Sequence, residues 1–128
     1  MIDVEVVTSN QKRNIPHNID AEKSILSAMS LTLDACSTGI QKLTPESFYK
    51  IEHREIFTAL MALFEENLPG DLITLVEKLS RLGKLESAGG PEYVSHIVNY
   101  VPSTAHLEHH ISIVSEKAVL RSLINTTT

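Results

Sequence analysis

The sequence contains no tryptophan and only three Phe and three Tyr, so there is little from which to build a surface that stacks nucleic-acid bases. A single cysteine, Cys36, excludes an internal disulfide and a cysteine-based zinc site. No apolar run approaches the ~20 residues that span a bilayer, which argues against a membrane protein. Met1 to Asn10 lack the basic end and apolar stretch of a signal peptide, which makes the cytoplasm the expected compartment. Positive charge is also scarce. Eleven Lys and Arg face sixteen Asp and Glu, for a net charge of −5, whereas a domain devoted to gripping phosphates would lean basic. No G-x-x-x-x-G-K-[ST] run occurs, so there is no phosphate-binding loop of that type. What remains is a chain of 128 residues, 42% hydrophobic and 21% charged, enough for one globular domain with its own core.

The punctuation of the chain predicts an all-α fold. Pro16, Pro45, Pro69, Pro91 and Pro102 stand at helix-length intervals, and apolar residues between them recur at three and four. Only Ile2, Val4 and Val6 alternate as a strand would, and residues 1–14 read as a loose tail. A globular helical domain is expected over 15–102, and a long helix over 103–128. Asn18 is a good N-cap, with Asp20 and Glu22 in the first turn where the helix dipole favours acids. Ala21, Ile25, Leu26, Met29 and Leu33 then form one stripe. A short helix follows over Ala35 to Lys42. Thr44-Pro45-Glu46 opens another turn, and Phe48 and Tyr49 supply bulk for the core. The next helix, from about Ile51 to Asn67, carries Ile56, Phe57, Leu60, Met61, Leu63 and Phe64 over a wide arc and is the candidate central helix. Asp71 caps a helix striped by Leu72, Leu75, Val76 and Leu79, which Gly83 ends in a left-handed conformation. Lys84 to Gly90 read as a loop, and Pro91 to about Tyr100 as a helix burying Val94, Ile97 and Val98, with Val101 beyond it. Ser103 or Thr104 should cap a last helix of ~20 residues, ~30 Å long. This makes about six helical segments.

That last helix has two apolar rows. Leu107, Ile111, Val114 and Ala118 form one, and Ile113, Leu120 and Ile124 the other. Five shorter segments can cover one stripe of so long a helix but not two. These seven residues are therefore the candidate protein-interaction surface.

Reactive chemistry is hard to assemble from the remaining residues. His106, His109 and His110 cluster, and His106 and His110 share a helix face. The order is not His-Glu-x-x-His, however, and no third ligand or activating carboxylate is evident, so a solvated helix face is the plainer reading. His53 and His96 read as packing or capping groups. Cys36 reads as a small buried hydrophobe rather than a nucleophile. Asp20 and Glu22 are two apart on a helix and do not face each other. Glu65-Glu66 reads as a solvated helix end. Gly89-Gly90-Pro91 precedes a helix, but Pro91 removes an amide donor that an anion site would use. No catalytic, cofactor or metal residue is expected.

The order of the blocks goes further. Pro16-His17-Asn18-Ile19-Asp20-Ala21-Glu22-Lys23-Ser24-Ile25-Leu26 resembles the opening of the N-terminal domain of bacterial replicative DNA helicases, the DnaB family. Leu43-Thr44-Pro45-Glu46-Ser47-Phe48-Tyr49 followed by His53-Arg54-Glu55-Ile56-Phe57 is similar to the next family segment. Asp71-Leu72-Ile73-Thr74-Leu75, then Gly83-Lys84-Leu85, Gly89-Gly90 and Tyr93, follow in order. Val101-Pro102-Ser103-Thr104-Ala105 and Ile113-Val114-Ser115-Glu116-Lys117 with Arg121-Ser122-Leu123-Ile124 complete the match. Ser27 stands where the family usually has Gly, Ser47 where it often has Asp, and His106 where it often has Asn.

The resemblance implies a parent ATP-dependent helicase whose RecA-like motor lies downstream and unwinds DNA 5′ to 3′ in a ring of six. ATP and Mg would belong to that motor, as would contact with DNA. The domain would pair with copies of itself in a collar and help to dock primase and, in some species, a loader. Its last helix would be the first arm of a helical hairpin. The alternative is a free-standing helical adaptor or regulator of replication without a motor, and the reading frame beyond Thr128 discriminates the two.

Overall fold

The computed structural model describes residues 15–127, with side chains through Ile124. Six α-helices and one 3-10 turn make up the regular structure among these residues. In chain order they are α1 (Ile19–Leu31), α2 (Leu33–Lys42), the 3-10 turn (Pro45–Ser47), α3 (Ile51–Glu65), α4 (Leu72–Arg81), α5 (Gly90–Val98) and α6 (Leu107–Thr127). The expected tail falls outside the described residues.

Local chemistry sets most of the boundaries. Asn18 accepts from the Ala21 N–H at 2.9 Å and opens α1. Asp71 accepts from the Thr74 N–H and Thr74 Oγ1–H to open α4. These two bonds favour the charged carboxyl and hold Asp71 below its ordinary acidity range. Gly83, with φ of 71°, ends α4 in the left-handed region where a side chain would be strained.

Four boundaries differ from expectation. Thr32, not a residue after it, caps α2 by accepting from the Ala35 N–H. Leu33 therefore belongs to α2 and is exposed, rather than continuing the α1 stripe. The helix α5 stops at Val98, where Asn99 caps it. At the other connection, Ser103 Oγ accepts from the Ala105 N–H, a local turn that delays α6 until Leu107.

The centre of the molecule is α1, not the apolar α3. Residues Ala21, Glu22 and Ser24 through Ser30 are all buried, and α1 packs against α2, α3, α5 and α6. Small side chains make this possible, because a helix lined with Ala and Ser lets neighbours approach on every side. One such approach is at Gly39 of α2, where a Cβ would lie 2.5 Å from Met29 Sδ. The buried serines are satisfied. Ser24 and Ser30 donate to the carbonyls of Asp20 and Ser27. Ser27 Oγ donates to Val98 O at 3.2 Å and accepts from the Val101 N–H at 3.0 Å.

Around α1, the core gathers Ile25, Leu26, Met29, Phe48, Ile56, Phe57, Leu60, Leu63, Leu75, Leu79, Val94 and Ile97. Tyr49, expected in the core, is only partly buried and stacks on His17 with ring centroids 4.3 Å apart.

Candidate protein-interaction face

Two arrangements decide how α6 is presented. The first is a buried polar hub. Glu22 does not sit in solvent as a first-turn acid. It is buried in α1 and reaches the start of α3, where Oε2 accepts from the Tyr49 N–H at 2.7 Å and Oε1 from the Lys50 N–H at 3.4 Å. It thus ties down the two residues that lead into α3, at the end of the helix where the dipole favours an acid. His53, fully buried one turn on, places Nδ1 2.7 Å from Glu22 Oε1 and Nε2 2.7 Å from Tyr93 Oη. A carboxylate only accepts, so Nδ1 carries the hydrogen toward it, and in the neutral ring Nε2 accepts the Tyr93 hydroxyl hydrogen. Burial, then the negative charges of Glu52 and Glu22, push the Tyr93 phenol up to about 12. His53 is therefore more than a packing group, since it joins α1, α3 and α5.

The second arrangement fixes α6. Its first half is core: Leu107, Ile111 and Val114 are buried, and Ile113 packs partly against them. Ala118 is half-buried. Beyond it, Arg121 donates from Nη1 to Pro16 O at 2.8 Å and from Nη2 to Ser47 O at 2.9 Å. Its guanidinium lies 5.5 Å from the centre of the Tyr49 ring. These contacts pin one side of the distal half.

The other side faces water. Val119 is 59% exposed, Leu120 40%, Leu123 59% and Ile124 45%. Spacings of three and four put Val119, Leu120 and Leu123 on one strip, while Ile124 lies at its edge toward Arg121. Of the seven candidate residues, the structure places Leu107, Ile111 and Val114 inside, Ile113 and Ala118 between, and Leu120 and Ile124 outside. The second row thus divides, with Ile113 turned toward the core. Val119 and Leu123, outside the two expected rows, are also exposed. Their i, i+4 spacing was a signal, masked because the rows were traced from the buried half.

The remaining candidates are dispersed. The rings of His106 and His109 flank His110 at 6.2 and 5.9 Å. Burial and then its two neighbours hold His110 below its ordinary value. Among the described residues, no group of three His, Cys, Asp or Glu is arranged to hold a metal ion. Exposed His96 places Nε2 3.1 Å from Lys23 Nζ. Cys36 is buried with Sγ 3.7 Å from Leu60 O, and burial raises its thiol to about 11. No helix among the described residues is long and apolar enough to cross a membrane.

This helical architecture is shared with a solved protein. The crystal structure of the N-terminal domain of DnaB helicase from Mycobacterium tuberculosis superposes with a TM-score of 0.81 at 34% identity, covering 86% of this chain and 76% of that one. The profile of the DnaB-like helicase N-terminal domain matches residues 14–116, and the chain belongs to that family. Among curated relatives, the replicative DNA helicase DnaC of Bacillus subtilis (strain 168) is 38% identical over 113 residues, or 88% of this chain. The replicative DNA helicase DnaB of Geobacillus stearothermophilus is also 38% identical over 113 residues. The chain spans about a quarter of the length of these two relatives.

Proposed function

We propose that this chain is the N-terminal structural and protein-interaction domain of a hexameric replicative DNA helicase. It supports ring assembly by pairing with copies of itself and offers a docking platform for primase or a loader. The parent enzyme would be a cytoplasmic ATP-dependent 5′-to-3′ helicase. Its ATP, Mg and DNA would be handled by a motor domain downstream, and this segment would carry no catalytic site. The observation that carries the reading is the exposed strip of Val119, Leu120 and Leu123 on a helix whose first half is anchored in the core. Apolar area of this kind gains about 25 cal/mol per Å² on burial, and lost rigid-body freedom offsets much of it.

The isolated chain should therefore pair weakly, with a dissociation constant of about micromolar or above, and a ring would add avidity. Sedimentation equilibrium of the chain and of a Val119→Glu, Leu123→Glu variant tests this. Loss of pairing with unchanged circular dichroism supports the reading. Equal association by both proteins counts against it, as does ATP turnover by the pure chain.

A further inference from the structure

Four surface cations in this domain have acidic partners, whereas Lys23 and Lys50 lie over the aromatic rings of Tyr100 and Tyr93. Lys42 pairs with Glu108, Lys78 with Glu66, Arg81 with Glu77 and Lys84 with Glu55. Arg54 and Arg121 differ. Both are half-buried and line one pocket of about 280 Å³ together with Ile15, Tyr49 and Ile124. Among the described residues, neither has a carboxylate within ion-pair distance. Their hydrogen bonds go to neutral carbonyls. Arg54 Nε–H donates to Phe48 O at 2.8 Å, and Arg121 to Pro16 O and Ser47 O.

Those carbonyls orient the two guanidiniums without cancelling their charge. Burial lowers the proton affinity of Arg121, nearby Glu22 raises it, and the charge of Arg54 lowers it again, with a net shift below its ordinary value. Glu22 is the acid that acts on Arg121, but its carboxylate is already bonded to two backbone N–H groups and His53. Within a chain of net charge −5, this pocket is a local concentration of positive charge. Both Nη groups of Arg54 and the Nε–H of Arg121 have no acceptor among the described residues. A guanidinium presents these donors as planar forks, which match carboxylate or phosphate oxygens.

We propose that the Arg54–Arg121 pocket binds a phosphate-type oxyanion, carried by inorganic phosphate or by a phosphate monoester. A phosphate group near neutral pH carries about −1.5 to −2 charges, which matches two guanidiniums better than a single carboxylate does. The apolar walls formed by Ile15 and Ile124, with the Tyr49 ring, suit the remainder of an ester. The inference does not depend on self-association of α6.

The test follows the Nε–H resonances of Arg54 and Arg121 in the ¹⁵N-labelled chain. Sodium phosphate is titrated at pH 7 and constant ionic strength, with ribose 5-phosphate as a second probe. A saturable shift in both resonances is the expected result. Equal affinities would assign the site to the free anion, and tighter binding of the ester would add the walls to the site. Arg54→Gln, which keeps an amide donor for Phe48 O, should weaken binding by about tenfold or more, and Arg54→Lys should weaken it less. Circular dichroism verifies that both variants are folded. A shift reproduced by chloride at the same ionic strength overturns the proposal. So does the absence of saturation, or unchanged binding in both variants.

Discussion

The helix α1 and the distal half of α6 invert the usual rule. The first carries three serines and a glutamate and is buried on nearly every side. The second is mostly apolar and lies in water at Val119, Leu120 and Leu123. Burial here follows position among neighbours rather than hydropathy. Four helices pack around α1, and its polar groups find partners in them. The distal half of α6 runs past most of the domain and is held through Arg121. A polar helix inside is stable only if every buried group is bonded, and no buried side-chain N or O among the described residues lacks a partner.

The largest effect should come from emptying the hub. Glu22→Ala leaves His53 and the N–H groups of Tyr49 and Lys50 without their acceptor, at a cost of about 1–3 kcal/mol for each donor left buried, measurable by urea denaturation. A loss below about 1 kcal/mol would mean that water replaces the carboxylate and that α1 is less enclosed than it looks. Ser27→Ala comes next. It strands Val98 O and the Val101 N–H and should cost about 1–3 kcal/mol. The contrasting case is Leu123→Ser, which should change monomer stability by no more than about 0.5 kcal/mol. A larger loss, seen at protein concentrations too low for pairing, would show that the strip is part of the domain's own packing.

The smallest effect concerns pH. The folded state lowers the His110 value, so the unfolded chain takes up the proton first. Stability contributed by this group is present above about pH 6.5 and is lost as pH falls from there toward the lowered folded value. His110→Gln should flatten the profile of unfolding midpoint between about pH 5 and 7. An unchanged slope would show that His110 titrates as it does in the unfolded chain.

Legibility in the sequence divides along the same line. Asn18, Asp71 and Gly83 were readable because a cap acts within three or four residues. The Leu75 and Leu79 stripe was readable because both lie on one face of α4. The central place of α1 was not, because its serines and Glu22 look solvated until their partners are known. Those partners lie far along the chain, at Val98, Val101, Tyr49 and His53. The start of α6 was misplaced because the turn at Ser103 resembles a cap. The exposed side of α6 was half legible: Leu120 and Ile124 were included, but periodicity cannot say which side of a long helix its own domain covers. The guanidinium pocket left no sequence signal, because Arg54 and Arg121 belong to different helices.

Arg121 also has a mechanical consequence. It joins Pro16 to a point 105 positions further along the chain, so a pull applied between these two places meets the guanidinium clamp before it reaches the packed helices. The two bonds to Pro16 and Ser47 then act as a fuse. They would release the distal half of α6 as a lever while Leu107, Ile111 and Val114 keep the remainder folded.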